Sequence, residues 1–267
     1  RWPPWETSIG DIMKISLDDL KEKKAVLSIQ DVNLYLLNSI RRIMLSELPK
    51  LAIDDVVIYD NTTTLFDEII AHRLGLVPVP TDPEVLNYRD ECGCGGKGCP
   101  NCTVRYTLSK EGEGIVYSGD LLPSESSWKV TDDLIPIVEL FNDQRLILEV
   151  EAVLGQAKTH AKWQVVTAPG YRMFPTIHFD PENKKQVEDF VEELPEGLVS
   201  IKNDTLELSD INKLPVLESH LDKEHVDFIT VEHDQHHVQF HFETDGSYPP
   251  EKALRKSVEI FEEKLKD

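Results

Sequence analysis

One amphipathic run, Asp31 to Leu48 (DVNLYLLNSIRRIMLSEL), constrains the fold of this chain more than any other stretch. Asp31 offers an N-cap oxygen and Pro49 ends the run, so the spacing predicts a helix over 31–48. Leu37, Ile40, Met44 and Leu48 form one apolar stripe at helical spacing, and Leu36, Ile40 and Ile43 form a second beside it. The combined arc is wider than one sheet face needs. A helix of this kind packs on its own sheet and still offers surface to a partner. Arg41 and Arg42 lie near the other edge, because a guanidinium is not buried unpaired. The plainer alternative is a core helix with solvated arginines.

The rest of the chain reads as mixed strands and helices. Ile12–Leu17 and Lys24–Gln30 read as two strands joined by the charged turn LDDLKEKK, with Ala25, Leu27 and Ile29 alternating inward. Leu51–Tyr59 is another strand. In TTTLFDEIIAHRLGLVP, Thr64 and Asp67 sit at capping-box spacing, and Gly75 suits a left-handed C-cap before Pro78. Ile69, Ile70 and Leu74 give that helix an apolar side, and His72 and Arg73 suit the negative end of its dipole. Strands follow at Thr103–Leu108, Ile115–Ser118, Ile135–Leu140 and Arg145–Leu154. Residues 171–217 look like a small separate unit, with a strand near Pro175–Phe179, a helix near Lys185–Glu193 and strands Leu198–Ile201 and Thr205–Leu208. Phe228–Val231 and Val238–Glu243 read as two more strands. Pro249-Pro250 then opens a helix striped by Leu254, Val258, Phe261 and Leu265. Residues 1–10, with Trp2 and Trp5 between prolines, read as an irregular arm. The fold class is α+β, with both chain ends forming one domain and the middle inserted between them.

The net charge of −21 repels phosphate backbones, so direct nucleic-acid binding is not expected. No stretch approaches the ~20 apolar residues of a membrane span, and no signal peptide is visible. Four cysteines, Cys92, Cys94, Cys99 and Cys102, fall in C-x-C-x4-C-x2-C spacing among glycines. This clustering points to a metal and a reducing compartment. Four thiolates close a tetrahedral site, which makes it structural. One zinc ion is the first choice and an iron–sulfur cluster the second; two disulfides are the plain alternative. His225, His233, His236, His237 and His241 crowd near the last strands. His237 and His241 share a strand face, as a second metal site or, preferably, as a solvated polar face. No G-x-S-x-G, Walker-type loop, G-x-G-x-x-G or magnesium-binding aspartate triplet is present.

Four blocks carry a family resemblance. LNSIRRIMLSELPKLAIDDV (37–56), LFDEIIAHRLGLVPV (65–79), HAKW (160–163) and FETDGSYPPE (242–251) resemble, in order, blocks of the RNA polymerase α family. They are most similar to its archaeal D-type branch and to the third-largest subunit of eukaryotic RNA polymerase II; YRMFPTI (171–177) resembles the archaeal form. The resemblance implies a fold like the N-terminal domain of polymerase α. It implies a dimerisation domain from 10–50 and 218–267, an inserted mainly-β domain at 51–170 carrying the metal loop, and a ferredoxin-like remnant at 171–217. The helices at 31–48 and 250–266 would pair with small subunit L, and the insert would meet subunits N and B. Arg41 and Arg42 would face a large subunit. His72, Arg73, His160, Lys162 and Trp163 would lie on assembly surfaces. The implied protein is a non-catalytic scaffold in an obligate hetero-oligomer, with magnesium chemistry on other chains. It would be cytoplasmic in an archaeon and nuclear in a eukaryote. Two departures stand out. Residues 171–217 lack the cysteines that many archaeal members use for a cluster, and Cys92–Cys102 has one extra residue in its middle gap relative to the eukaryotic zinc loop. From another class, an iron–sulfur redox or sensor protein remains the alternative. A zinc hydrolase would need an open metal position.

Overall fold

The computed structural model describes residues 13–203, 205–224 and 226–266. The arm at 1–10, Ile12 and His225 lie outside the described residues. The architecture is α+β, in two compact units that the chain enters more than once: residues through Asp18, Val26–Leu37 and Gly170–His241 form the first, and Asp19–Ala25, Asn38–Pro169 and Phe242 onward form the second.

In chain order, β1 (Lys14–Leu20) and β2 (Lys24–Gln30) precede α1 (Leu34–Ser46) and β3 (Pro49–Asn61). Helix α2 (Asp67–Gly75) leads through a long loop to β4 (Thr103–Glu111), β5 (Gly114–Tyr117), β6 (Leu122–Pro123), β7 (Pro136–Leu140) and β8 (Arg145–Gln156). Then come β9 (Val166–Phe179), α3 (Lys184–Glu193), β10 (Val199–Lys202), β11 (Thr205–Leu208), α4 (Leu214–Glu224), β12 (Ile229–Thr244) and α5 (Pro250–Lys264).

The first unit is built on a six-stranded sheet in the order β1-β2-β12-β9-β11-β10. Ile177, Phe179, Val187, Phe190, Leu206 and Leu217 form its core, so α3 and α4 share one apolar layer with the strands. Ala25, Leu27 and Ile29 alternate inward along β2, as their spacing predicts. The second unit holds the sheet β3-β8-β4-β6 and the pair β5-β7. Strand β3 runs antiparallel to β8 from Pro49↔Gln156 to Asn61↔Leu146, with irregularities at Ile53/Asp55 and Ile58/Asp60. Leu146, Leu148, Val150 and Ala152 line its core, as their alternation predicts.

Several local expectations change. Helix α1 begins at Leu34, not Asp31. Asn33 caps it: its Oδ1 accepts from the Tyr35 amide at 2.8 Å and its carbonyl from the Leu37 amide at 3.1 Å. Asp31 takes a left-handed φ of 56° before the helix. Thr64 does not cap α2; the capping position is Phe66, without a side-chain bond, and Asp67 instead accepts from Asn61 Nδ2 at 2.6 Å. Gly75 is the last helical residue and Leu76 the cap, in right-handed conformation. The room at Gly75 serves close packing: a Cβ there would stand 3.5 Å from the Ile53 carbonyl. Ile69 is largely solvent-facing while Ile70 and Leu74 are fully buried. Strand β1 extends to Leu20, which absorbs most of the expected turn. The two expected strands near 228–243 are one 16-residue strand, β12. Its exposed middle, Glu232–His236, carries no alternation to read. Strand β9 likewise runs 14 residues, well beyond Pro175–Phe179. Helix α4 has no counterpart in the sequence reading, because Pro215 looks like a stop; in a first turn its missing N–H costs nothing.

Candidate functional site

The cysteine loop, between α2 and β4, has no regular secondary structure of its own. Gly95, Gly96 and Gly98 take φ values of 65°, 78° and 78°, which let the chain double back. The Gly95 amide donates to the Cys92 carbonyl, and the Cys102 and Thr103 amides both donate to that of Cys99, each at 3.0 Å. The four sulfurs lie within 4.8 Å of one another. Cys92 and Cys99 are 3.5 Å apart, Cys94 and Cys102 3.7 Å, and Cys99 and Cys102 3.9 Å. None is in a disulfide, which sets that alternative aside. A tetrahedral ion with Zn–S bonds of ~2.3 Å separates its sulfurs by about 3.8 Å, so the donor set fits one zinc-sized ion. The thiols hold their protons unequally. The Cys94 amide favours the Cys92 thiolate, but the Cys99 thiol, desolvation and the other two thiols outweigh it and push Cys92 up to about 12. The Cys99 amide and the neighbouring thiols, working against desolvation, draw Cys94 down to about 6.

A second constellation ties distant parts of the second unit together. Lys50 is buried at the head of β3. Its ammonium donates to the carbonyls of Lys162 at 2.9 Å and Gln164 at 3.2 Å and pairs with Asp245 Oδ2 at 2.5 Å. That carboxylate oxygen is buried without a directional hydrogen bond, so the ion pair is its compensation. The Tyr248 hydroxyl donates to the Pro49 carbonyl. Burial, reinforced by Tyr88, Asp82 and Asp245, holds it far above the usual phenol range. Sequence reading missed Lys50, Asp245 and Tyr248. The available signal was a lysine directly before the apolar start of β3, Leu51–Ile53.

Beside them, His160 Nδ1 accepts from the Lys162 amide at 3.1 Å, and Lys162 pairs with Asp54 while its ammonium sits 4.4 Å above the Trp163 ring. Trp163 is buried and donates from Nε1 to the Val153 carbonyl at 3.2 Å. Its indole lies directly across Gly155, where any Cβ would collide with the ring. Gly155→Ala is therefore expected to destabilise the chain by roughly 1–3 kcal/mol, the cost of overpacking. Urea unfolding followed by Trp fluorescence checks this.

The helices carry the remaining residues. On α1, Leu37 and Met44 are buried and Ile40 half-buried; Arg42 is exposed. Arg41 holds Asn38 Oδ1 through Nε at 3.0 Å and Nη2 at 2.9 Å. On α5, Pro250, Ala253 and Ser257 are the buried positions, whereas Leu254, Val258 and Phe261 are only half-covered. Leu265 lies past the helix end, 71% exposed. Lys264 reaches Glu47 at 2.5 Å and Lys252 reaches Asp82 at 3.0 Å. His72 and Arg73 are exposed at the end of α2, and Arg73 Nη2 donates to the Pro136 carbonyl at 2.7 Å. His237 stacks on Phe174 at 3.9 Å. Among the described residues only the four cysteines gather as a metal-sized cluster. No described helix is long and apolar enough to cross a membrane.

An α+β body whose helix α5 leaves Leu254, Val258 and Phe261 half-covered is the kind of subunit that pairs with another chain. The chain belongs to the RNA polymerase Rpb3/Rpb11 dimerisation domain family, whose model matches residues 26–265. All four blocks that resembled RNA polymerase fall within that span. It is an RNA polymerase assembly subunit that heterodimerises with other subunits of the enzyme. It is similar to the DNA-directed RNA polymerase subunit Rpo3 of Methanosphaera stadtmanae, at 37% identity over 94% of this chain and 96% of the relative. The subunit Rpo3 of Thermoplasma volcanium is 37% identical over 91% and 93% of the two chains. That of Methanothermobacter thermautotrophicus is 36% identical over 94% and 96%.

Proposed function

We propose that this chain is the scaffold that starts polymerase assembly by pairing with small subunit L through α1 and α5, and then docks subunits N and B. The half-covered stripe of Leu254, Val258 and Phe261 carries this reading, since a helix that buries Pro250, Ala253 and Ser257 leaves its larger apolar side chains for a partner. The dimerisation region would comprise 10–50 and 218–267, the docking insert 51–170, and the ferredoxin-like remnant 171–217. These regions are drawn by partner and cut across the two compact units. The layout would be that of the N-terminal domain of polymerase α and of the third-largest subunit of RNA polymerase II. Ile40 and the α5 stripe would meet L, with Leu37 and Met44 buried in this chain's own core and supporting α1 from beneath. Arg41 and Arg42 would meet a large subunit, and His72, Arg73, His160 and Lys162 the insert-side partners, over the buried Trp163. The chain would carry no active site and contact no nucleic acid directly. It would work in the cytoplasm of an archaeon, or in a eukaryotic nucleus.

Cys92, Cys94, Cys99 and Cys102 would hold one structural zinc, which supplies a fixed cross-link to a loop with little core of its own. The close sulfur spacing supports a single ion over a cluster, because four thiolates spread over the two irons of a 2Fe–2S or the four irons of a 4Fe–4S centre would stand wider apart. Co-expression with a candidate subunit L tagged on L alone tests the whole reading. The expected product is a colourless 1:1 complex with one zinc. A brown, iron-containing complex would keep the scaffold and overturn the metal. A well-behaved monomer that ignores L would overturn the pairing. An obligate interface of about 2,000 Å² or more is expected, so the chain expressed alone should self-associate.

A further inference from the structure

We propose that Arg89 is a positioning residue for the cysteine loop, a clamp that holds the loop in its metal-ready shape by fixing it to the sheet. This rests on the metal reading above. Arg89 lies three residues before the first cysteine and is used by none of the roles described so far. Its guanidinium bonds in three directions. Nε donates to the Gly96 carbonyl at 3.1 Å, in the middle of the loop between Cys94 and Cys99. Nη1 donates to Asp55 Oδ2 on β3 at 3.2 Å. Nη2 lies 3.2 Å from Glu151 Oε2 on β8. Glu151 is held in turn by Arg105 of β4, whose Nε and Nη2 reach Oε1 at 2.9 and 2.8 Å. One planar fork thus links the loop to two strands directly and to a third through Glu151.

The glycines around it make room for this. A Cβ on Gly98 would stand 3.1 Å from Arg89 Nη2, and one on Gly96 would stand 3.9 Å from the Arg89 carbonyl. The main chain runs alongside too: the Asn87 amide donates to the Asn101 carbonyl at 2.8 Å. The need for such a clamp is physical. Four sulfurs must give up protons and stand close together as the ion binds, and the loop has few apolar contacts to hold them in place before it arrives. The ion pairs themselves are partly exposed, with 31% of the Arg89 side chain accessible, so each is weak as a pair. What Arg89 supplies is direction: it fixes the Gly96 carbonyl relative to the sheet. A lysine keeps the charge but reaches fewer of the three acceptors at once.

The test uses the full chain with Arg89→Met, Arg89→Lys and Glu151→Gln variants. Zinc loss to the chromophoric chelator 4-(2-pyridylazo)resorcinol is timed, and amide hydrogen exchange is followed across 92–102. Outer partners of metal ligands typically contribute about 10–100-fold, and Arg89 holds the loop backbone and not a sulfur, so Arg89→Met should lose zinc about 10-fold faster, the lower end, at unchanged stoichiometry. Arg89→Lys should fall between it and the wild type. Glu151→Gln should add little in the Arg89→Met background, because both act through one link. Wild-type release and wild-type exchange in Arg89→Met would overturn the clamp. If the wild-type chain binds no zinc, the metal reading fails, and exchange across 92–102 alone decides the clamp. If Arg89→Met does not fold, the milder Arg89→Lys and Glu151→Gln carry the same comparison.

Discussion

Cys102→Ser is expected to abolish binding of the proposed zinc and to loosen the whole segment between α2 and β4. Cys102 is fully buried, and its amide and sulfur both face Cys99. A serine hydroxyl is not a thiolate at neutral pH, so three ligands remain where the donor set needs four. Structural zinc sites of this kind contribute about 10–16 kcal/mol in small isolated domains, and that energy is folding energy for the loop. Here Leu86 gives the loop one anchor in the core and Tyr88 a partial one, so the sheet should survive while the loop opens. Elemental analysis should show metal falling to background, and limited proteolysis should cut within 89–101 where the wild type resists. Chelator treatment of the wild type should reproduce both effects, and acid should ease the release because the ligands must be deprotonated. A Cys102→Ser chain with its full metal complement would sink the four-thiolate site.

Lys50→Met is expected to cost about 3–5 kcal/mol, because it leaves the Asp245 carboxylate buried beside no counter-charge. The Lys50 side chain is 5% exposed and that of Asp245 16%, so neither charge is relieved by water. Lys50 also satisfies the Lys162 and Gln164 carbonyls, which the substitution orphans. Adding Asp245→Leu to Lys50→Met should recover much of the loss, since a matched apolar pair is often no worse than a buried ion pair. Urea denaturation of the two single variants and the double variant measures this directly. A double variant as unstable as the sum of the singles would show that the pair is not coupled.

What the sequence disclosed follows from the range of the forces involved. The cysteine cluster was readable because its ligands are sequence neighbours and its chemistry is in the spacing. Strand β8 and helix α1 were readable because one face of each is buried, so Leu146–Ala152 and Leu37–Leu48 carry a period. Strand β12 hid because its middle is solvated on both faces. The α1 cap was misplaced by two residues because Asp31 and Asn33 are chemically equivalent caps, and only the backbone turn at Asp31 chooses between them. Helix α4 hid behind Pro215, whose meaning depends on where the first turn starts. The Lys50, Asp245 and Tyr248 constellation was beyond local reading, since its halves meet only in the folded chain.

That separation has a consequence for how the protein is made. Pro49 and Tyr248, joined by one hydrogen bond, are 199 residues apart. At ribosomal rates of ~5–20 residues per second, roughly 10–40 s pass between the synthesis of the two. Throughout that interval the lysine at the head of β3 waits without its counter-charge, and Glu47 waits without Lys264. The nascent chain therefore cannot close this unit as it emerges. It closes only once Asp245 and Tyr248 have been made, so slower translation of residues 50–245 lengthens the time that Lys50 spends unpaired.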